Sequence, residues 1–68
     1  MTLDDVVPGT MALTVDGELY VVLTVDRQTS WSGFRRHVMV WTEFGFREWV
    51  MTFDDAQKDT LIRRGRSI

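Results

Sequence analysis

His37 is the one histidine of the chain, so any nucleophilic or acid–base chemistry has to begin there. Activating a Ser or Thr hydroxyl takes an imidazole beside it and a third group that orients the ring. His37 follows Arg35 and Arg36 directly and lies in an alternating apolar run, the setting of an exposed strand histidine. The carboxylates come as neighbours, Asp4-Asp5 and Asp54-Asp55. Adjacent side chains of an extended segment point to opposite faces, so neither pair makes an acid–base dyad, and capping or turn roles suit them better. No Gly-rich phosphate loop and no metal-ligand spacing is present. With one histidine and no cysteine, four ligands for a structural zinc cannot be gathered from one chain. The expectation is a protein without catalytic residues, cofactor, metal or small-molecule substrate.

Recognition chemistry is better supplied. Residues 1 to 26 hold five acids and no bases, and residues 27 to 47 hold four arginines and one acid. Residues 48 to 59 hold four acids and one lysine, and the last nine residues hold three arginines. Seven of the eight bases are therefore Arg, whose planar guanidinium makes bidentate and stacked contacts that an ammonium cannot. Aromatic residues interleave with them: Tyr20, Trp31, Phe34, Trp41 and Trp49 cannot all be core in a domain of this size. Phe46, Trp49 and Phe53 are the core candidates. Trp31 sits between two serines, where it either stands exposed as a contact residue or folds back over the end of the domain. Exposed Trp beside Arg is the composition of a binding hot spot. The candidate partner-binding surface is Tyr20, Trp31, Phe34, Arg35, Arg36, Trp41 and Arg47.

The elements that position these residues follow a period of two, the strand signal. Residues 1–10 form a lead-in segment that ends in the turn Pro8-Gly9. Met11, Leu13 and Val15 alternate with Ala12 and Thr14 as a first strand. Asp16-Gly17 predicts a two-residue type I′ turn. The second strand runs from Glu18 to about Asp26, with Leu19, Val21, Leu23 and Val25 on one face and Tyr20, Val22 and Thr24 on the other. A polar loop spans residues 27 to 33. Phe34 to Thr42 is a third strand, with Val38 and Val40 opposed to His37, Met39 and Trp41. Glu43-Phe44-Gly45 is a turn, and Phe46 to Thr52 a fourth strand. Asp54-Asp55-Ala56-Gln57 makes one helical turn with an aspartate as N-cap. Thr60-Leu61-Ile62-Arg63 closes as a short strand before the basic tail, 64–68. A longer helix over 54–64, ended by Gly65, is the competing assignment.

At 68 residues the chain is one domain near the lower size limit for independent folding. Disulfides are impossible without cysteine, so stability has to come from an aromatic-rich core, from self-association, or from both. A formal charge of -2 argues against a general coat for nucleic acid. The start Met1-Thr2-Leu3-Asp4-Asp5 is acidic where a signal peptide is basic, and the longest apolar run, Leu19 to Leu23, falls far short of a membrane span. A cytoplasmic location without membrane contact is the expectation.

Hairpin, polar loop, hairpin, helical turn and short last strand is an order of elements that resembles small SH3-like barrels of the kind often encoded by bacteriophages. The residues carrying the resemblance are Pro8-Gly9, Leu19-Tyr20-Val21-Val22-Leu23, Val38-Met39-Val40-Trp41, Gly45, Trp49 and Phe53-Asp54-Asp55. It implies an all-β, five-stranded SH3-like barrel and, for a phage protein, a place in the host cytoplasm. The Ala-Leu-Tyr-Asp-Tyr stretch and Trp-Trp pair of peptide-binding SH3 domains are missing, which speaks against proline-rich ligands. Two functions follow as expectations. The first is a protein-interaction module, an adaptor or inhibitor that docks on a larger protein or on itself as a homodimer. The second is a nucleic-acid-binding barrel that stacks bases on aromatics while Arg35, Arg36, Arg47 and the tail arginines follow the phosphates.

Overall fold

The computed structural model describes residues 1–26 and 35–66. Five antiparallel strands form one sheet: β1 (Met11–Leu13), β2 (Leu19–Asp26), β3 (Arg35–Thr42), β4 (Gly45–Thr52) and β5 (Thr60–Arg63). Their order is β4-β3-β2-β1-β5. The first four strands lie side by side in chain order. After β4 a short helix, α1 (Phe53–Lys58), carries the chain back so that β5 pairs with the free side of β1. Among the described residues β4 and β5 are the two sheet edges, and no ladder closes the sheet between them.

Local chemistry explains most of these boundaries. β1 ends at Leu13, short of the expected Val15, because Thr14 begins the turn. The Gly17 N–H donates to Thr14 O at 2.9 Å, and Thr14 N–H donates to Glu18 O at 2.9 Å. The Thr14 hydroxyl accepts from Glu18 N–H at 3.0 Å. Only Gly17 takes positive φ (82°) in this loop, whereas a type I′ turn needs it at Asp16 as well. The connection is therefore the three-residue loop Val15-Asp16-Gly17 rather than a two-residue one.

In β2 the ladder to β3 shifts register between Val22 and Thr24, leaving Leu23 as a bulge. The extra residue bends the strand and resets its alternation. Val25 thus joins Tyr20 and Val22 on the inner face, not Leu19 and Val21 as strict alternation predicts.

α1 is capped by Thr52, not by an aspartate. Asp55 N–H donates to the Thr52 hydroxyl, and the Asp55 carboxylate accepts from Thr52 N–H, both at 3.2 Å. Thr60 starts the closing strand two residues after the helix, so the longer helix over 54–64 does not form.

The core lies on one face of the sheet. Leu3 and Val6 from the lead-in segment and Ala56 from α1 cover Ala12, Tyr20, Val22, Val38, Val40 and Met51, with Met1, Val25 and Trp49 packed against them. A 3₁₀ turn, Leu3–Asp5, brings the lead-in residues into place. The Met1 ammonium donates to Ala56 O (2.9 Å) and Asp59 O (2.8 Å), carbonyls at the C-terminal end of α1, where positive charge is favoured.

Candidate interaction surface

The ladders assign each candidate side chain to a face. Across the sheet Trp41 stands opposite Val21 on β2 and Phe46 on β4, and Val21 stands opposite Met11 on β1. Met39 stands opposite Thr24 and Glu48, and His37 opposite Asp26 and Val50. By alternation these rows share the outer face, the side that the core does not use. Arg35, opposite Thr52, belongs to this face too, at the end of β3 far from Trp41.

The centre of the face is apolar and uncovered. Trp41 is 48% exposed and Phe46 67%, and their rings meet edge-on with centroids 4.7 Å apart. Met39 and Val50 are exposed beside them. Tyr20 pairs with Thr42, so the β1–β2 and β3–β4 turns lie at the same end of the sheet. Each turn presents an apolar residue there, Val15 and Phe44, both 74% exposed. Thr42 shapes the second turn: its buried hydroxyl donates to Gly45 O at 3.0 Å and accepts from Phe44 N–H at 3.1 Å. That arrangement leaves the Phe44 ring outside. At about 200 Å² for each ring, Trp41, Phe44 and Phe46 expose roughly 400 Å² of aromatic surface.

The expected surface is thus partly redrawn. Trp41 is on it and Arg35 shares its face. Arg36, half-buried opposite Met51, and Arg47, exposed opposite Val40, belong to the inner-face rows of β3 and β4. Trp31 and Phe34 lie outside the described residues. Tyr20 does not belong to an exposed surface: it is fully buried, its ring 5.0 Å edge-on from Trp49. Its hydroxyl donates to Asp59 Oδ2 at 2.6 Å. Burial, and then the hydrogen bond to Asp59, push the Tyr20 phenol far above its usual range. Burial likewise raises Asp59, against the lowering effect of the Tyr20 hydroxyl.

Of the three core candidates only Trp49 packs inward, against the cluster. Phe46 and Phe53 are exposed, because the β4 register turns Phe46 to the outer face and Phe53 begins α1 on its solvent side. Phe46, Phe44, Met39 and Val50 are therefore the surface residues that the sequence reading missed. The signal was available in the alternation of β3 and β4, where both parities are apolar.

One carboxylate of each pair, Asp5 and Asp55, takes part in a local capping box. Asp55 accepts from the N–H of the N-cap Thr52, and Asp5 accepts from Thr2 N–H (3.0 Å) and the Thr2 hydroxyl (3.2 Å). The Thr2 backbone bond is the largest influence holding Asp5 below its usual carboxylate value. Among the described residues no three His, Asp or Glu side chains gather as metal ligands would. None of the described helices is long and apolar enough to cross a membrane. Compared with known proteins, the chain matches no family model, no curated protein and no solved structure.

Proposed function

We propose that this protein is a non-enzymatic interaction module on an SH3-like barrel, of the kind bacteriophages encode, acting in the cytoplasm. It docks on a larger protein, or on a second copy of itself, through the outer face of the β2–β3–β4 sheet. The observation that carries this reading is the exposed Trp41–Phe46 pair, joined at the same sheet end by the apolar turn residues Phe44 and Val15. Buried aromatic anchors dominate binding energy in protein interfaces, and a pre-packed pair loses little side-chain freedom on docking. Charge is sparse at the centre of the patch, where Glu48 is the only ionisable neighbour in the Met39 row. The matching surface is therefore apolar at its middle. β4 is also a free edge, so a strand added there extends the same face.

The barrel fits the element order: β2 is long and bent by its bulge, and the chain crosses to β5 through a single short helix.

The test compares the wild-type chain with the double variant Trp41→Ser/Phe46→Ser. Sedimentation over a range of concentrations reads self-association, and pull-downs with both proteins read heterologous partners. The proposal expects an association that is present in the wild type and lost in the folded variant. A wild-type chain that stays monomeric and retains the same proteins as the variant would overturn it.

A further inference from the structure

The second feature lies at the opposite end of the chain's chemistry, where residues 63–66 run Arg-Arg-Gly-Arg. Gly65 crosses the Pro8–Thr10 turn in backbone contact. A Cβ at Gly65 would collide with the Pro8 carbonyl oxygen and lie 2.6 Å from Thr10 N, so only glycine fits. Gly65 N–H donates to the hydroxyl of the buried Thr10 at 2.8 Å, and that hydroxyl donates to Asp5 O at 2.6 Å. The crossing sets the path of the backbone between Arg64 and Arg66.

An open cleft of about 350 Å³ results, lined by Gly9, Met11, Arg63, Arg64, Gly65 and Arg66. Arg64 is held in place, its Nε 3.4 Å from Asp5 Oδ1 and its Nη2 donating to Asp4 O at 3.2 Å. Arg63 and Arg66 are exposed, and neither has a carboxylate partner among the described residues. Two guanidiniums without a carboxylate partner among the described residues and a third, tethered one thus border the same open cleft.

We propose that this cleft binds a phosphate group, with Arg63 and Arg66 as its direct ligands. Guanidinium forks match the oxygens of a phosphate, whose charge and number of acceptors suit two forks where one carboxylate suits one. The group can arrive on a nucleotide or in a nucleic-acid backbone, and the chemistry at the cleft is the same. The cleft lies at the β1–β5 end of the sheet, whereas the Trp41–Phe46 pair lies on β3 and β4, and its phosphate chemistry does not depend on that pair.

The experiment is a ¹H–¹⁵N titration of the full chain with inorganic phosphate, adenosine monophosphate and a short single-stranded oligonucleotide at matched ionic strength. The amides of Gly9, Met11 and Gly65 are expected to shift. Arg63→Gln/Arg66→Gln, changes at two exposed positions, is expected to bind at least about tenfold more weakly with its spectrum otherwise retained. Should the double variant lose its dispersed spectrum, the two single variants carry the same comparison. Trp41→Ser is expected to respond as the wild type does. Shifts with phosphate and the mononucleotide identify a free phosphate ligand. Shifts with the oligonucleotide alone identify a strand backbone, with a salt slope that falls by about one per arginine removed. Either result supports the site. No shift at these amides with any probe, or an undiminished response in the double variant, overturns it.

Discussion

Trp49 and Trp41 sit on neighbouring strands of one hairpin and have opposite fates. Trp49, opposite Val38, turns inward and meets the Tyr20 ring. Trp41, opposite Phe46, turns outward and meets a ring that is itself exposed. Both faces of the β3–β4 hairpin are therefore apolar, while an antiparallel sheet with one solvated face normally alternates apolar with polar. The lead-in segment and α1 cover only one of them. The difference between the two tryptophans is thus one of cover rather than of residue type. On the reading proposed above, the uncovered face is the one that docks.

The contrast predicts unequal costs of truncation. Tyr20→Ala removes a fully buried ring and is expected to cost about 3–5 kcal/mol. A domain of this length has only about 3–10 kcal/mol in total, so the variant is expected to be largely unfolded. Trp41→Ala removes a ring that is already half exposed, so it forfeits about half of a buried ring's apolar area together with the edge-on contact with Phe46; it is expected to cost about 1–3 kcal/mol and to stay folded. Urea unfolding followed by circular dichroism measures both. Equal losses would mean that the outer face is as much a part of the core as the inner one, and the comparison would fail.

The strands themselves were legible because period-two runs and turn residues are local properties. Thr60–Arg63 appears in the structure with the expected bounds, and β3 keeps Val38 and Val40 on one face, opposed to Met39 and Trp41, as its alternation implies. Sidedness was harder. Where both parities of a strand are apolar, as in Val38-Met39-Val40-Trp41, only the covering elements decide which set is core, and those are distant in sequence. Its size suits Phe46 to the core, but its register turns it outward. The surplus of aromatics places Tyr20 outward, yet it is buried and its hydroxyl has a partner thirty-nine residues away in Asp59. No local pattern announces that bond. The bulge at Leu23 was equally silent, since nothing in Val22-Leu23-Thr24 differs from an ordinary strand.

The Tyr20–Asp59 bond offers a finer test of the inner face, with a smaller effect. Tyr20→Phe keeps the ring and its contact with Trp49 but leaves the half-buried Asp59 carboxylate without its phenolic donor. The expected loss is about 1–3 kcal/mol. Asp59→Asn keeps an acceptor for the hydroxyl and is expected to cost less. A double-mutant cycle between the two positions should give a coupling of about 0.5–3 kcal/mol, and the same cycle between Trp41 and Tyr20 close to none. Coupling between the latter pair would show that the two faces are not independent.

The smallest effect is in pH, and its sign follows from two carboxylates shifted in opposite directions. Burial raises Asp59 above its ordinary 3.8, so the folded chain holds that proton more tightly than the unfolded one. Stability contributed here is full below 3.8 and falls as pH rises from 3.8 through the folded value, then levels off. Asp5 runs the other way. The Thr2 N–H, chief among its influences, lowers it below 3.8, so its contribution is present above 3.8 and is lost as pH falls through the folded value. Wild-type stability is therefore expected to peak close to 3.8 as far as these two groups govern it. Asp59→Asn should flatten the decline on the alkaline side, and Asp5→Asn the decline on the acid side. Trp41→Ala, on the outer face, should lower the whole curve without changing its shape. Urea midpoints at half-unit steps from pH 3 to 7 read all three. A Trp41→Ala curve that changed shape would tie the outer face to the buried network around Asp59, and the separation of the two faces would have to be given up.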